Sequence, residues 1–270
     1  MPIHPRDFEV VCKAIAEDAG IILRPGKEYL VESRLVPLVK SEGYDSVEGL
    51  IGHLRTGSRH LRAVVVDAMT TNETSFFRDA APFEIIQESV LPSLFESRSA
   101  TKSLRVWCAA SSSGQEPVSL ALLIRDRFPQ MAKWDIKITA TDISESMLER
   151  CREGVYSQLE VARGLPSPLL TKYFNKRGEA WQLRDEIREM IEYRRLNLAN
   201  RFPPMPQMDM VMIRNVLIYF DDELKEQILA NIAKVLKPDG FLFLGSTETP
   251  RGAGFLRVKA HRTSYYQLAA

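Results

Sequence analysis

The sequence contains little cysteine, and that little is not arranged for cross-linking or metal binding. Cys12, Cys108 and Cys151 are odd in number, far apart and in no Cys-x-x-Cys pair. A disulfide framework and a zinc site are therefore not expected, and a reducing compartment fits best. The first residues, MPIHPRDFEVV, lack the apolar core of a signal peptide, and no apolar run reaches membrane-spanning length. We expect a soluble cytoplasmic protein with no direct membrane insertion.

The sequence also lacks a charge of one dominant sign. Its 270 residues carry 36 Lys and Arg against 35 Asp and Glu, a formal net charge of +1. This balance gives no general attraction to polyanions, so nucleic acid is not expected as a partner. The four histidines lie outside every motif described below, and neither metal-ligand spacing nor a Ser-His-Asp arrangement is visible. The sequence therefore predicts no metal site.

Helical periodicity occupies the first quarter of the chain. The segment RDFEVVCKAIAEDAG places apolar residues on one helix face and can end at Gly20. A second helix, KEYLVESRLVPLVKSEG, contains Pro37, which should kink or break it. SVEGLIGHLRTG and RHLRAVVVDAM predict two more short helices. We predict a helical N-terminal domain over 1–69, then a linker and a connecting helix over 70–102.

Strands and helices alternate from residue 103 onward. LRVWCAA and DIKITATDI are predicted strands, and each precedes a helix, the first with Pro117 in its first turn and the second with Ser144 as N-cap. MDMVMIRNVLIYF is predicted as one apolar strand, DDELKEQILANIAKVLKPDG as a helix, FLFLG as a last core strand and SYYQLA as a possible edge strand. Apolar strands separated by helices indicate an α/β fold with a doubly wound sheet over 103–270.

One segment does not follow this alternation. WQLRDEIREMIEYRRLNL, residues 181–198, has two extended-looking halves around charged residues. A small β hairpin inserted between core strands is one interpretation. A helix over RDEIREMIEYRR is the alternative.

The stretch VWCAASSSGQEPVSLALL has the strand, small-residue turn and helix that often begin a nucleotide site, but it lacks Gly-x-Gly-x-x-Gly. Glu116 would repel a pyrophosphate here, whereas the sulfonium and ammonium of S-adenosylmethionine would be attracted. Glu116 can equally be a first-turn acid that favours the helix dipole. Asp142 ends the next strand, where a carboxylate often accepts hydrogen bonds from a ribose. Arg214 and Asn215 interrupt an apolar run, and such polar groups need partners.

Several motifs, in order, resemble one family. TTNETSFFRD, RVWCAASSSGQEPVSLAL, ATDIS followed by MLERCREGVY, IRNVLIYFD and LKPDGFLFLGSTE are similar to the CheR-type chemotaxis receptor O-methyltransferases, which methylate protein glutamates. The resemblance covers nearly the whole chain. It implies a Rossmann-like class I methyltransferase sheet, a small N-terminal helical domain and an inserted β subdomain at about 172–198.

The resemblance also implies a set of site residues. The cofactor-binding residues carried over by motif are Asn72, Thr74, Arg78, Glu116, Asp142, Asn197, Leu198, Arg214 and Asn215. Arg78 and Tyr219 are the expected catalytic residues. The implied reaction converts S-adenosyl-L-methionine to S-adenosyl-L-homocysteine while a chemoreceptor glutamate becomes a methyl ester. Alternatives are a methyltransferase for another protein or a small acid, and a regulator that binds the cofactor without turnover.

The expected partners are the cytoplasmic methylation helices of chemoreceptors. The loop NKRGEAWQL is shorter than the matching loop of family members that tether to a receptor C-terminal pentapeptide, so we expect binding without a tether. Weak contacts centred on Lys27, Arg34 and Lys40 would then hold the receptor. We expect the protein to be a monomer.

Overall fold

The N-terminal part of the chain is a group of four helices. The computed structural model describes residues 3–250, 252, 254–260 and 263–269. Helices α1 to α4 span Pro5–Ala19, Glu28–Ser41, Val47–Leu54 and Arg59–Met69. Their buried faces form a common apolar core. Among the described residues, no helix combines the length and apolar character needed to cross a lipid bilayer.

Helix α2 continues through Pro37, so the break considered there does not occur. Proline removes one backbone hydrogen bond, which leaves the carbonyl of Ser33, one turn earlier, without its helical donor. Both Ser33 and Pro37 are exposed, and water can satisfy this carbonyl. The helix thus tolerates proline because the defect faces solvent.

An irregular segment and a helical segment join the N-terminal helices to the rest of the chain. Residues 70–80 contain no helix or strand. The connecting helix is α5, Ala81–Ile85, a π-helical turn over Ile86–Val90, and α6, Leu91–Ser97. It leads directly into the first strand.

The C-terminal part is built on a seven-stranded sheet. Its strands are β1, Ser103–Ala109; β2, Asp135–Asp142; β6, Ile191–Arg195; β7, Met208–Ile213; β8, Leu236–Leu244; β9, Phe255–Ala260; and β10, Thr263–Leu268. The order is β6-β2-β1-β7-β8-β10-β9. Pairs from β6 to β8 are parallel, and β10 is antiparallel to both neighbours. The long helices are α7, Gln115–Arg127; α8, Glu145–Glu153; and α12, Asp222–Val235.

Two predicted boundaries and the predicted position of one strand are wrong in the C-terminal part of the chain. The apolar run from Met208 leaves the sheet at Ile213, and Leu217–Tyr219 is a 3-10 turn. The Lys-Pro-Asp-Gly segment begins β8 instead of ending α12. SYYQLA does form a strand, but β9 lies outside it as the edge strand. These outcomes depend on strand pairing between distant segments, which a run of apolar letters does not specify.

The hairpin predicted over 181–198 is also wrong in its pairing. The smaller sheet contains β3, Val155–Ser157; β4, Phe174–Arg177; and β5, Ala180–Leu183, in the order β3-β5-β4. Short helices α9, Gln158–Ala162, and α10, Ser167–Tyr173, lie between β3 and β4. The second half of the segment becomes β6 and pairs with β2 of the main sheet, after the single turn α11, Asp185–Arg188. The β insert therefore starts before residue 172 and ends before β6.

Candidate functional site

A cavity of about 370 Å³ opens at the carboxyl ends of β1, β2 and β7. This is the edge where open parallel sheets bind ligands, and the volume suits a small molecule. The linker and residues 19–30 of the N-terminal domain supply the opposite wall. The residues predicted from the sequence all line it: Asn72, Thr74, Arg78, Glu116, Asp142, Asn197, Leu198, Arg214, Asn215 and Tyr219. Their individual roles stay predictions.

The loop after β1 turns sharply around the cavity floor. Ala110 and Ser112 have φ angles of 55° and 51°, in the left-handed region, and Gly114 has 90°. At Gly114 a side chain would be strained by this φ, and its Cβ would lie 2.9 Å from the Cys151 sulfur, which would have to shift. Non-glycine residues in this region are strained and tend to occur at functional sites. The turn points the Ser112 N–H at Asp142.

Asp142 ends β2 at the cavity and is only 6% exposed. One carboxylate oxygen accepts the Ser112 N–H at 2.8 Å, and the other accepts the Ser144 N–H at 2.9 Å. Burial raises the pKa of Asp142, while these backbone hydrogen bonds act to lower it. Each carboxylate oxygen can accept a second hydrogen bond, so Asp142 retains capacity for ligand hydroxyls.

Arg214 occupies the centre of an ion-pair cluster. Its guanidinium donates to Glu116 Oε2 at 2.9 Å, to Asp79 Oδ2 at 2.8 Å and to the Arg78 carbonyl at 2.9 Å. The Arg214 side chain is 2% exposed and that of Glu116 13%. Burial raises the pKa of Glu116, and Arg214 opposes that rise. Glu116 is thus paired within the protein, and its Oε1 has no hydrogen bond to a described residue.

Three buried polar atoms at the cavity have no hydrogen-bond partner among the residues that the structure describes. They are Ser111 Oγ, Arg214 Nε and Asn215 Oδ1. Buried polar atoms in native proteins are almost always paired. All three belong to residues that line the cavity, and S-adenosylmethionine carries amino, hydroxyl and carboxylate groups of the kind that pair with such atoms.

The linker reaches the cavity through Asn72, Thr74 and Arg78. Asn72 is bonded to Thr70 through its amide, and its carbonyl accepts the Ser112 hydroxyl at 3.1 Å. Arg78 is half-buried and donates to the Glu73 carbonyl at 2.7 Å. The rest of its guanidinium has no hydrogen bond within the described chain, and it faces the cavity.

Arg34 was expected to contact the receptor, but its guanidinium holds the linker instead. It donates to the carbonyls of Met69 and Thr70 at 2.6 and 2.8 Å, and to Thr71 Oγ1 at 3.2 Å. Burial lowers the pKa of Arg34. The side chain is thus committed to intramolecular bonds, and a role centred on it at the receptor surface is not supported.

Tyr219 and Asn197 lie where the two parts of the chain meet. The Tyr219 carbonyl accepts the Ile22 N–H at 2.9 Å, and its hydroxyl has no hydrogen bond to any described residue. The Asn197 amide donates to the Asp18 carbonyl at 2.6 Å, and its oxygen accepts the Ala199 N–H at 3.0 Å. Asn197 therefore shapes the wall, whereas Tyr219 presents a free hydroxyl at the cavity.

Sequence reasoning missed the contributions of residues 19–30, Asp79 and Glu248. Asp79 directly follows the predicted Arg78, and its φ of 66° turns it toward Arg214. Glu248 ends the similar segment LKPDGFLFLGSTE and is buried. The sequence signal that could have identified Glu248 was a carboxylate shortly after an apolar strand. The wall formed by residues 19–30, which is mostly apolar but includes Arg24 and Lys27, carried no such signal.

Comparison with known proteins identifies the family. The profile described as "CheR methyltransferase, SAM binding domain" matches residues 72–259, and "CheR methyltransferase, all-alpha domain" matches 6–70. A chemotaxis protein methyltransferase 1 of Pseudomonas aeruginosa is 43% identical over 90% of this chain and 89% of its own length. Chemotaxis protein methyltransferase Cher2 of Pseudomonas putida is 41% identical over 91% of both chains. Chemotaxis protein methyltransferase 1 of Vibrio cholerae is 37% identical over 93% of this chain and 91% of its own length. The chain therefore belongs to the CheR methyltransferase family and is an S-adenosylmethionine-dependent methyltransferase.

Proposed function

We propose that this protein transfers the methyl group of S-adenosylmethionine to glutamate side chains of chemoreceptors, forming glutamyl methyl esters in chemotaxis adaptation. The observation that carries the proposal is the single cavity that Asp142, Arg78 and Tyr219 line together, between the sheet edge and the linker. The family membership supports the cofactor, and the relatives are named for chemotaxis. The cytoplasm is the proposed compartment, and the monomer is the proposed state.

The chemistry requires alignment more than acid–base catalysis. A glutamate with a pKa of about 4 is already ionised at neutral pH, so no general base is needed. The cofactor supplies a methyl group on a cationic sulfur. The protein contributes by holding the carboxylate in line with that methyl group and by excluding water. Arg78 has free donors for a charge-assisted hydrogen bond to the carboxylate.

Tyr219 is the second candidate for orienting the acceptor. Tyr219→Phe removes a hydroxyl and leaves the ring packing in place. Losing one hydrogen bond worth about 1 kcal/mol should reduce turnover roughly five- to tenfold while S-adenosylhomocysteine affinity stays unchanged. Single-turnover methylation and calorimetry measure the two effects. Tyr265→Phe, in β10 and outside the cavity lining, is the matched control. Equal losses of turnover and cofactor affinity would make Tyr219 a cofactor-binding residue.

Incubation with tritiated S-adenosylmethionine and receptor-containing membranes tests the function directly. Counts that become volatile in base identify carboxyl methyl esters. A receptor with its methylation-region glutamates replaced by alanine is the control. Base-stable counts would indicate another acceptor class. Cofactor binding without any transfer would indicate a regulator, and the free hydroxyl of Tyr219 and free donors of Arg78 argue against that alternative.

We further propose that the receptor is bound without a pentapeptide tether. Strands β4 and β5 are joined by only two residues, 178–179, so the hairpin projects no long loop. Lys27 and Lys40 remain exposed, whereas Arg34 is occupied. Exposed charge contacts of this type contribute about 0.2–1 kcal/mol each and are screened by salt. Receptor affinity should therefore be weak.

Removing the last residues of a receptor should change its methylation rate by less than about twofold, since no tether is lost. Rates for full-length and truncated receptor, measured in parallel at low and raised ionic strength, check this. Raised ionic strength should slow the methylation of full-length and truncated receptor by the same factor. A large drop on truncation, or tight binding of the isolated tail peptide, would return the β3-β5-β4 sheet to a docking role.

A further inference from the structure

Glu248 has a buried carboxylate that binds backbone donors from two separate loops. It is 7% exposed and follows β8 in a turn closed by its own N–H to the Gly245 carbonyl at 2.9 Å. Its Oε2 accepts the N–H groups of Gly245 at 2.7 Å and Asn215 at 2.9 Å. Its Oε1 accepts the N–H of Ile218 at 3.3 Å. One side chain thus joins the end of β8 to the loop after β7.

The loop after β7 depends on this carboxylate for its backbone bonding. The chain leaves the sheet at Ile213, and Asn215 adopts a left-handed φ of 58°. Its N–H, like that of Ile218, is therefore satisfied by Glu248. Only glycine permits the approach at 245, since a Cβ there would lie 2.6 Å from Glu248 Oε2 and 2.8 Å from the Asn215 nitrogen.

The two carboxylate oxygens hold two functionally different parts of the loop. Oε2 fixes Asn215, whose unpaired Oδ1 lies at the cofactor cavity. Oε1 fixes Ile218, the residue before Tyr219. Glu248 itself lies behind the cavity wall, on a second, smaller cavity bordered by Leu217 and Ile218. Glu248 does not line the cofactor cavity, so its hydrogen bonds reach the site through the loop, while its negative charge also acts on Glu116.

We propose that Glu248 is a positioning residue for methyl transfer, which sets Asn215 toward the cofactor and Tyr219 toward the acceptor carboxylate. The inference rests on the proposed function, because it assigns Glu248 a part in that reaction. It also makes Gly245 a requirement of the site.

Glu248→Gln and Glu248→Ala separate the positioning of Asn215 from the positioning of Tyr219. The Gln oxygen can replace Oε2 and keep the bonds to Gly245 and Asn215, but its amide NH₂ then faces the Ile218 N–H, donor against donor. Glu248→Gln should therefore lower kcat about tenfold, with S-adenosylhomocysteine affinity within about threefold of wild type. Glu248→Ala loses all three acceptor bonds and should lower both kcat and affinity by at least tenfold.

Calorimetry with S-adenosylhomocysteine, methylation of receptor membranes and thermal unfolding provide the readouts. Thr247→Ala, an exposed neighbour on the same turn, is the matched control and should behave as wild type. With an active wild-type enzyme, two results would overturn the inference. One is a folded Glu248→Gln whose kcat equals that of wild type, and the other is a Glu248→Gln that loses cofactor affinity and kcat by the same factor. Failure of the wild-type enzyme to methylate any receptor would instead contradict the proposed function. The S-adenosylhomocysteine affinities of Glu248→Gln and Glu248→Ala would still test whether Glu248 positions Asn215 for the cofactor.

Discussion

Replacing Arg214 by methionine should lower the free energy of unfolding by about 3–5 kcal/mol, because it leaves a buried carboxylate without its cation. Methionine fills much of the arginine stem's volume, so the loss reports charge more than packing. Arg214 and Glu116 are 2% and 13% exposed and lie 2.9 Å apart, so solvent screens the pair little. Arg214 also secures the linker through Asp79, at 2.8 Å. Urea unfolding followed by circular dichroism measures the change.

Two comparisons separate the charge effect from lost packing. The double variant Arg214→Met with Glu116→Gln removes both charges and should recover most of the lost stability. Arg194→Met breaks an ion pair with Glu192 in which both side chains are more than half exposed. The free energy of unfolding of Arg194→Met should fall by less than about 1 kcal/mol. If the double variant is no more stable than Arg214→Met alone, the uncompensated charge is not the cause.

Asp142→Ala should weaken S-adenosylhomocysteine binding roughly ten- to a hundredfold. The carboxylate has remaining acceptor capacity at the cavity, and losing a hydrogen bond to a charged acceptor costs about 1.5–3 kcal/mol. The same substitution also releases the N–H groups of Ser112 and Ser144. Titration calorimetry gives the affinity, and unfolding under the same conditions shows how far the loop after β1 is loosened.

Asp135→Ala is the matched control, because Asp135 begins the same strand that Asp142 ends. Its side chain is 57% exposed and pairs with Arg105 at the opposite edge of the sheet. The S-adenosylhomocysteine affinity of Asp135→Ala should therefore equal that of the unsubstituted protein. Unchanged affinity in Asp142→Ala would remove Asp142 from the cofactor site, whatever its effect on stability.

Local signals in the sequence predicted the elements whose ends are decided locally. Helix α1 ends at Gly20, and Ser144 caps α8 by accepting the Met147 N–H at 3.1 Å, both as expected. The end of β7 was not predictable in this way. Val216 and Leu217 are as apolar as the strand before them, but they leave the sheet for a turn in which Ile218 is bonded to Glu248, 30 residues away in the sequence.

The candidate site was predictable to the extent that its residues stand in motifs. Glu116 was expected to meet a ligand cation, but the sequence did not indicate that Arg214 already neutralises it. That pair joins positions 98 residues apart. The second half of 181–198 was misplaced for a related reason, since Ile191 pairs with Ile138 of β2 and not with the strand just before it. Partners distant in sequence leave no local pattern.

The wall formed by residues 19–30 has a thermodynamic consequence for the N-terminal helices. A ligand that contacts both this wall and the sheet edge favours the arrangement in which they are docked together. At a concentration one hundred times its Kd, such a ligand adds about 2.7 kcal/mol to the stability of that arrangement. Asn197 and Tyr219 already join the two parts through the backbone of Asp18 and Ile22. A cofactor that contacts both parts would therefore add, as its concentration in the cell rises, to the bonds that already hold the helical domain on the catalytic domain.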